Sequence, residues 1–381
     1  MKLLFITKAN IFDKAYSGGV QASTRNYGLL KNIFGEKSYY TCIISDEKAI
    51  KQSDHIKYIY YKNSLIQKYV NYLALRNGFG RKVEKDIISF IQQVKADIIF
   101  FDGSDFGGIL NKTQVNSKII VFYHNIEKEY AWDRVLHNNP LCIFRFLANW
   151  YNEKIITKKA DVRICLNLRD NNALEKNYGK KCDFLLPITF SDSFETDNLS
   201  CISETEAPYL LFVGSNFLPN YKGIKWFVEN VMDYIDIQLK IVGKNMEQYQ
   251  KELSRDNVQV IGTVDNLLPY YKNAQAMVMP IFMGAGMKVK TAEALMYGKT
   301  IFGTQEAFEG YDIDGTANLY VCNSTEEFIN SIKNYLNLEN RRIFNPEIRE
   351  LFLSKYETSS VEKSFGSLIK GLLNHETDNF S

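Results

Sequence analysis

Residues 280–304 read PIFMGAGMKVKTAEALMYGKTIFGT and hold the densest chemical pattern in the chain. An apolar run ends at Pro280, a loop with Gly284 and Gly286 follows, and a helical pattern runs from near Lys288 to Gly298, which suits a C-terminal cap. The start of such a helix offers amides without intrahelical partners and the positive end of a dipole, to which Lys288 and Lys290 add charge. That is an anion site suited to a diphosphate. Two lysines there are electrostatically unfavourable unless an anion offsets them. Glu293, about one and a half turns into the helix, can hold hydroxyls such as those of a ribose.

Three other segments place polar groups after apolar runs. Tyr123-His124-Asn125-Ile126-Glu127 closes a very apolar strand pattern, where His124 can donate to a substrate oxygen or exchange a proton near neutrality. As a lone histidine it equally fits a structural role. Ser17-Gly18-Gly19-Val20 precedes a helical pattern; Gly18 and Gly19 suit close backbone approach to a phosphate or sugar, or a plain turn. The dinucleotide fingerprint GxGxxG is absent. Phe212–Gly223 repeats the strand, small-residue loop and helix arrangement, with Ser215, Asn216, Asn220 and Lys222 as its polar groups. Lys222 suits a phosphate or a solvated loop.

The elements that position these segments alternate: short β-branched and aromatic runs with longer helical patterns, the form of βαβ units and parallel sheets. Strands are expected at 3–7, 39–44, 56–60, 97–101, 118–123, 161–166 and 184–187, and again at 209–214, 238–242, 258–261, 276–280, 300–303 and 319–322. The polar stretch 189–206 separates them as a linker. The expected organisation is a Rossmann-like domain over 1–188, a second over 207–345, and C-terminal helices over 346–381 that cross back to the first. Two doubly wound domains take ligands at the carboxyl ends of their strands, in a cleft.

Of 381 residues, 46 are Lys or Arg and 44 Asp or Glu, a net charge of +2 that argues against nucleic acid as a partner. The balance is uneven: residues 1–185 carry 29 basic and 18 acidic side chains, +11, and the remainder 17 and 26, −9. Six scattered cysteines without metal-ligand spacing suit a reducing, cytoplasmic setting. The amino terminus reads as a strand rather than a leader, and no apolar stretch is long enough to span a membrane.

Taken together, FVGSNFLPNYKGIKWFVENV, KIVGKN, VQVIGTVDNLLPYYKNAQAMVMP and GAGMKVKTAEALMYGKTIFGTQEAFEGY, in this order, resemble the retaining GT-B glycosyltransferases of family four. The resemblance is strongest over 209–311, with Gly18-Gly19 and His124-Asn125 as its traces in the first half. It implies an α/β GT-B fold, with the acceptor bound by the first domain and a nucleotide sugar, UDP- or GDP-linked, by the second. Gly19 would lie near the donor phosphates and His124 would contact the transferred sugar. Ser215, Asn216 and Lys222 would line the phosphate side. The amides of Ala285, Gly286, Met287 and Val289 would hold the diphosphate with Lys288 as the added cation. Glu293 would hold the ribose, and Thr263, Val264 and Leu267 would lie near the base.

Two positions depart from the family pattern: Ala285 stands where a first glutamate often precedes Glu293 by eight positions, and Ser215 where a basic residue is common. Amides of 284–286 would then replace the missing carboxylate. Asp312-Ile-Asp314 has the form of a metal-binding DxD but lies past the motif region, and the scheme expects no metal and no permanently bound cofactor.

The implied role is hexosyl transfer to a glycan or lipid-linked acceptor in bacterial surface polysaccharide or glycoconjugate synthesis. The alternatives are a GT-B-like sugar-nucleotide epimerase and a non-catalytic partner subunit. Residues 62–82 hold five cations and no anion among aromatic and aliphatic side chains, and 141–159 are similar. Both fit either ordinary amphipathic helices or contact with an anionic membrane at the inner face of the cell membrane.

Overall fold

The computed structural model describes residues 1–12, 18–46, 53–137, 142–194, 207–284 and 287–374. The chain divides into two compact units, one of residues 1–188 with 365–381 and one of 189–364.

In the first unit the strands are β1 (Leu3–Thr7), β2 (Tyr39–Ser45), β3 (Ile56–Tyr60), β4 (Ile98–Asp102), β5 (Lys118–Tyr123), β6 (Val162–Cys165) and β7 (Phe184–Leu185). They form one sheet in the order β3-β2-β1-β4-β5-β6-β7, with every pairing parallel. β1 and β4 are buried at every position, as strands covered by helices on both faces must be. The helices are α1 (Gly18–Phe34), α2 (Leu65–Leu73), α3 (Arg81–Val94), α4 (Gly107–Lys112), α5 (Glu127–His137), α6 (Ile143–Lys159) and α7 (Leu168–Tyr178). Local sequence sets their ends: Ser64 and Gln67 close a capping box on α2, and Gly179 in the left-handed region stops α7.

The second unit has β8 (Tyr209–Val213), β9 (Gln238–Val242), β10 (Val258–Gly262), β11 (Ala276–Met279), β12 (Ile301–Gly303) and β13 (Leu319–Val321). Their order is β10-β9-β8-β11-β12-β13, again all parallel. The helices are α8 (Leu218–Asn230), α9 (Gln250–Leu253), α10 (Leu268–Asn273), α11 (Val289–Met296), α12 (Thr325–Leu336) and α13 (Pro346–Lys355). The last helix, α14 (Thr358–Asn374), begins in the second unit and ends in the first. Both sheets reverse their winding beside their first strand, between β1 and β4 and between β8 and β11. At such switch points the strand ends leave room for a ligand.

Gly223 and Gly298 are required by packing. A Cβ on Gly223 would stand 1.8 Å from the Pro280 carbonyl oxygen, so only glycine lets α8 lie against the end of β11. Gly298 has φ +58 just beyond α11, and a Cβ there would meet the Phe344 ring at 2.8 Å. Lys299, beside it, is buried and donates to the carbonyls of Lys272, Ala274 and Ile343, which makes it a structural lysine.

Candidate functional site

In the first unit β1, β4 and β5 end side by side, and each contributes polar groups. Thr7 and Asp102 are in register, and Thr7 Oγ1 donates to Asp102 Oδ2 at 2.8 Å. Asp102 Oδ1 accepts from Asn26 Nδ2 at 3.0 Å and lies 3.2 Å from His124 Nε2. Ser23 Oγ is 3.4 Å from the same imidazole nitrogen. Burial alone would raise the Asp102 pKa, but the charge and hydrogen bond of His124, with the bonds from Ser23 and Asn26, hold it below its ordinary 3.8. Asp102 is therefore a carboxylate at neutral pH, and it fixes the His124 proton on Nε2. His124 Nδ1 is buried and has no hydrogen-bond partner among the described residues.

His124, Asp102 and Gly19 line a cavity of about 270 Å³ together with Lys8, Asp105 and Glu127. A Cβ on Gly19 would meet nothing within 4 Å, so packing against the described residues does not explain the glycine. Gly18 starts α1, and its partner in the motif, Ser17, lies outside the described residues. Lys8 is ion-paired with Asp105; burial would lower its pKa, but Asp105 and Glu127 raise it. Burial raises the Glu127 carboxyl. Three carboxyl groups against one lysine make this cavity locally acidic, although the half of the chain around it is strongly basic. Such a lining suits hydroxyls.

Glu153 of α6 supports the arrangement from behind. Fully buried, its carboxylate accepts from Ser104 Oγ at 2.8 Å, Tyr178 OH at 2.7 Å and the amides of Glu127 and Lys128 at 2.9 and 3.2 Å. Burial raises its pKa to about 7 against those bonds. It caps α5 from a neighbouring helix and so fixes the loop that carries His124.

In the second unit the β11–α11 loop and the N-terminus of α11 form the corresponding feature. Lys288 is the N-cap residue, Val289 the first helical residue, and Met287 is buried. Ala285 and Gly286 lie outside the described residues. Lys288 is not a free cation: its Nζ is 2.7 Å from Glu306 Oε1. Lys290 Nζ donates to Asn220 Oδ1 at 2.5 Å, and Asn220 Nδ2 donates to the Ser215 carbonyl at 3.0 Å. Burial lowers the Lys290 pKa to about 7, with Glu293 opposing and Lys288 adding to the shift. The unfavourable pair of lysines expected from the sequence is thus relieved within the protein, by Glu306 on one and by burial on the other. The need for an anion is smaller than the sequence implied.

Glu293 accepts from Tyr271 OH at 2.8 Å, and burial raises its pKa against that bond and the Lys290 charge. Ser215 is exposed, and Asn216 is turned toward β9 and the segment after it, its amide donating to the Lys244 carbonyl and its Oδ1 accepting from Tyr249 OH at 2.8 Å. Lys222 is exposed beside a separate cavity of about 320 Å³ walled by Trp226 and Phe282. Val264 is half-buried in the loop after β10, next to Thr263, which Glu247 holds through its amide at 3.0 Å. Asp312 pairs with Lys355 at 2.5 Å. The structure thus links Ser215, Asn220 and Lys290 in one chain of contacts and leaves Asn216 and Lys222 out of it. Asp102 and Glu306 were not picked out from the sequence, although both stand at or just past the end of an apolar strand, the signal that singled out His124.

The sequence model of the family "Glycosyl transferases group 1" matches residues 207–337. A protein of Klebsiella pneumoniae described as an uncharacterized 44.6 kDa protein in the cps region is 24% identical over 302 residues, 69% of this chain and 75% of that one. Among solved structures, sucrose-phosphate synthase of Thermosynechococcus elongatus aligns with TM-score 0.69 and 16% identity over 98% of this chain and 99% of that one. Anabaena HepE in complex with UDP aligns with TM-score 0.65 and 10% identity over 97% and 100%, and its UDP-glucose complex with 0.61. These likenesses establish the fold.

Proposed function

We propose that this chain, whose residues 207–337 match the glycosyl transferases group 1 model and whose fold is that of GT-B enzymes, is a glycosyltransferase that moves a sugar from a UDP- or GDP-sugar to a glycan or lipid-linked acceptor. The observation that carries this reading is the α11 N-terminus beside the switch point of the second sheet, with Lys288, Lys290 and Glu293 on one short helix. Support for the donor class comes from HepE, which was solved with UDP and UDP-glucose. The cps-region relative supports a role in surface polysaccharide synthesis, and the proposed place of action is the cytoplasm, at the inner face of the membrane.

As the anomeric carbon–oxygen bond to the diphosphate breaks, negative charge grows on the leaving group. Helix amides with Lys288 and Lys290 stabilise it, and no metal is needed in this scheme. The new bond joins the anomeric carbon to an acceptor hydroxyl, with retention of configuration. The first unit holds the acceptor through its carboxylates, and His124 contacts the reacting sugar with its orientation fixed by Asp102. Gly19 leaves clearance for the donor phosphates. Ser215, joined through Asn220 to Lys290, lines the phosphate side, and Thr263 and Val264 lie near the base.

The test is incubation of the full chain with a panel of UDP-, GDP- and dTDP-sugars, with and without glycan acceptors. Transfer or slow donor hydrolysis is expected. Formation of an epimer would replace the reading with an epimerase, and nucleotide binding without turnover would point to a partner subunit, an alternative to which Ala285 lends mild support.

A further inference from the structure

We propose that α2, with its neighbour α6, is a docking face for an anionic phospholipid bilayer; this deepens the reading of a membrane-side enzyme given above. Four apolar side chains of α2 stand out from the protein: Leu65 is 75% exposed, Ile66 77%, Val70 55% and Leu73 62%. Ile66, Val70 and Leu73 follow one another at helical spacing along one stripe. The inner face is fixed by other residues: Asn71 is buried and Tyr69 meets the ring of Phe144 on α6 edge-on at 6.4 Å. A surface helix that places its large aliphatic residues in water, with an asparagine buried and a tyrosine packed on its neighbour, has its apolar stripe reversed with respect to the core.

Charge selects the occupant. From Lys62 to Lys82 there is no acidic residue, and Lys62, Arg81 and Lys82 are exposed at the two ends of this segment. On α6, Leu147 and Trp150 are exposed, and Lys154 Nζ lies 5.2 Å from the Trp150 ring. Aliphatic residues flanked by cations, with an amphipathic tryptophan, match the interface of a bilayer with acidic headgroups. A second copy of the chain would instead set like charges against each other. With nine residues, α2 cannot cross a bilayer, and no helix among the described residues is long and apolar enough to do so.

The face also adjoins the acceptor cavity. The turn after α2 carries Asn77, whose Nδ2 donates to the carbonyl oxygen and to Oδ1 of Asp105, at 3.0 and 2.9 Å. Leu75 in the same turn accepts from Asn152 of α6 at 2.9 Å. A bilayer seated on α2 therefore lies one turn from Asp105 in the cavity wall.

The experiment is co-sedimentation of the full chain with phosphatidylcholine vesicles, with and without phosphatidylglycerol, at low and high salt. Binding is expected only to the mixed vesicles and is released by salt. The double variant Ile66→Glu, Leu73→Glu should reduce binding at least ~10-fold. Nucleotide titration of the same samples reports folding and tests the donor reading separately. Wild-type protein that binds UDP or GDP but stays in the supernatant overturns the docking face alone, as does a double variant that sediments like wild type. A dimer dissociated by the double variant, without vesicle binding, would assign the face to a second copy.

Discussion

The two units share one plan and opposite chemistry. Each is a parallel sheet that reverses beside its first strand, with polar groups gathered at the strand ends. In the unit from the basic half, those ends present Asp102, Asp105 and Glu127 around His124 and Lys8. In the other, from the acidic half, they present Lys288 and Lys290 with Glu306 and Glu293. Net charge is written on outer helices such as α2 and α6, whereas ligand chemistry is written in the few residues after each strand. The basic excess of the first half belongs to its surface, and its cavity is lined by carboxyl groups.

His124→Ala tests the hydrogen-bonding half most severely: kcat should fall about 10²–10³-fold, with nucleotide affinity unchanged. Gly223→Ala tests the scaffold of the other half. The 1.8 Å approach to the Pro280 carbonyl leaves no room for a Cβ, so thermal or denaturant unfolding should show a loss of about 3 kcal/mol. Asp102→Asn should lower kcat by tens-fold, about 2 kcal/mol, by removing the charge that orients His124. The stability that Asp102 adds is present above its ordinary pKa of 3.8 and is lost as pH falls through its lower folded value. The variant should lack that acid-limb loss in unfolding curves. The smallest effect is on pH. Lys290 sits near pKa 7, and a bound diphosphate favours its charged form, so binding takes up a proton. Nucleotide affinity should be full below pH 7 and fall above it, by up to about 1.4 kcal/mol per pH unit, with proton uptake visible in buffers of different ionisation enthalpy.

Much of the scaffold was legible because parallel strands buried on both faces are nearly continuous apolar runs, as in β1 and β5, while β3 and β9, interrupted by Lys57 and Lys240, were legible from their β-branched and aromatic residues. His124 and the 280–298 motif were legible because polar residues interrupt that pattern abruptly. Pairings across space were not. Thr7 and Asp102 are 95 positions apart, and only the parallel register makes them neighbours. Lys288 read as a free cation because Glu306, 18 positions on and past another strand, has no periodic relation to it. The tuning of Lys290 depends on burial over Phe212, with its amine 5.2 Å from that ring, which no spacing rule reports.

The division of roles between the units is tested most directly by calorimetric titration of UDP and GDP into wild type, Lys288→Met and His124→Ala. Lys288→Met loses a charge-assisted contact and leaves Glu306 facing the diphosphate, so affinity should fall about 10²-fold, while His124→Ala should bind within about twofold of wild type. Adding Glu306→Gln to Lys288→Met removes that repulsion without restoring the cation, and affinity should stay low. Nucleotide binding that survives Lys288→Met and is lost in His124→Ala would contradict the account.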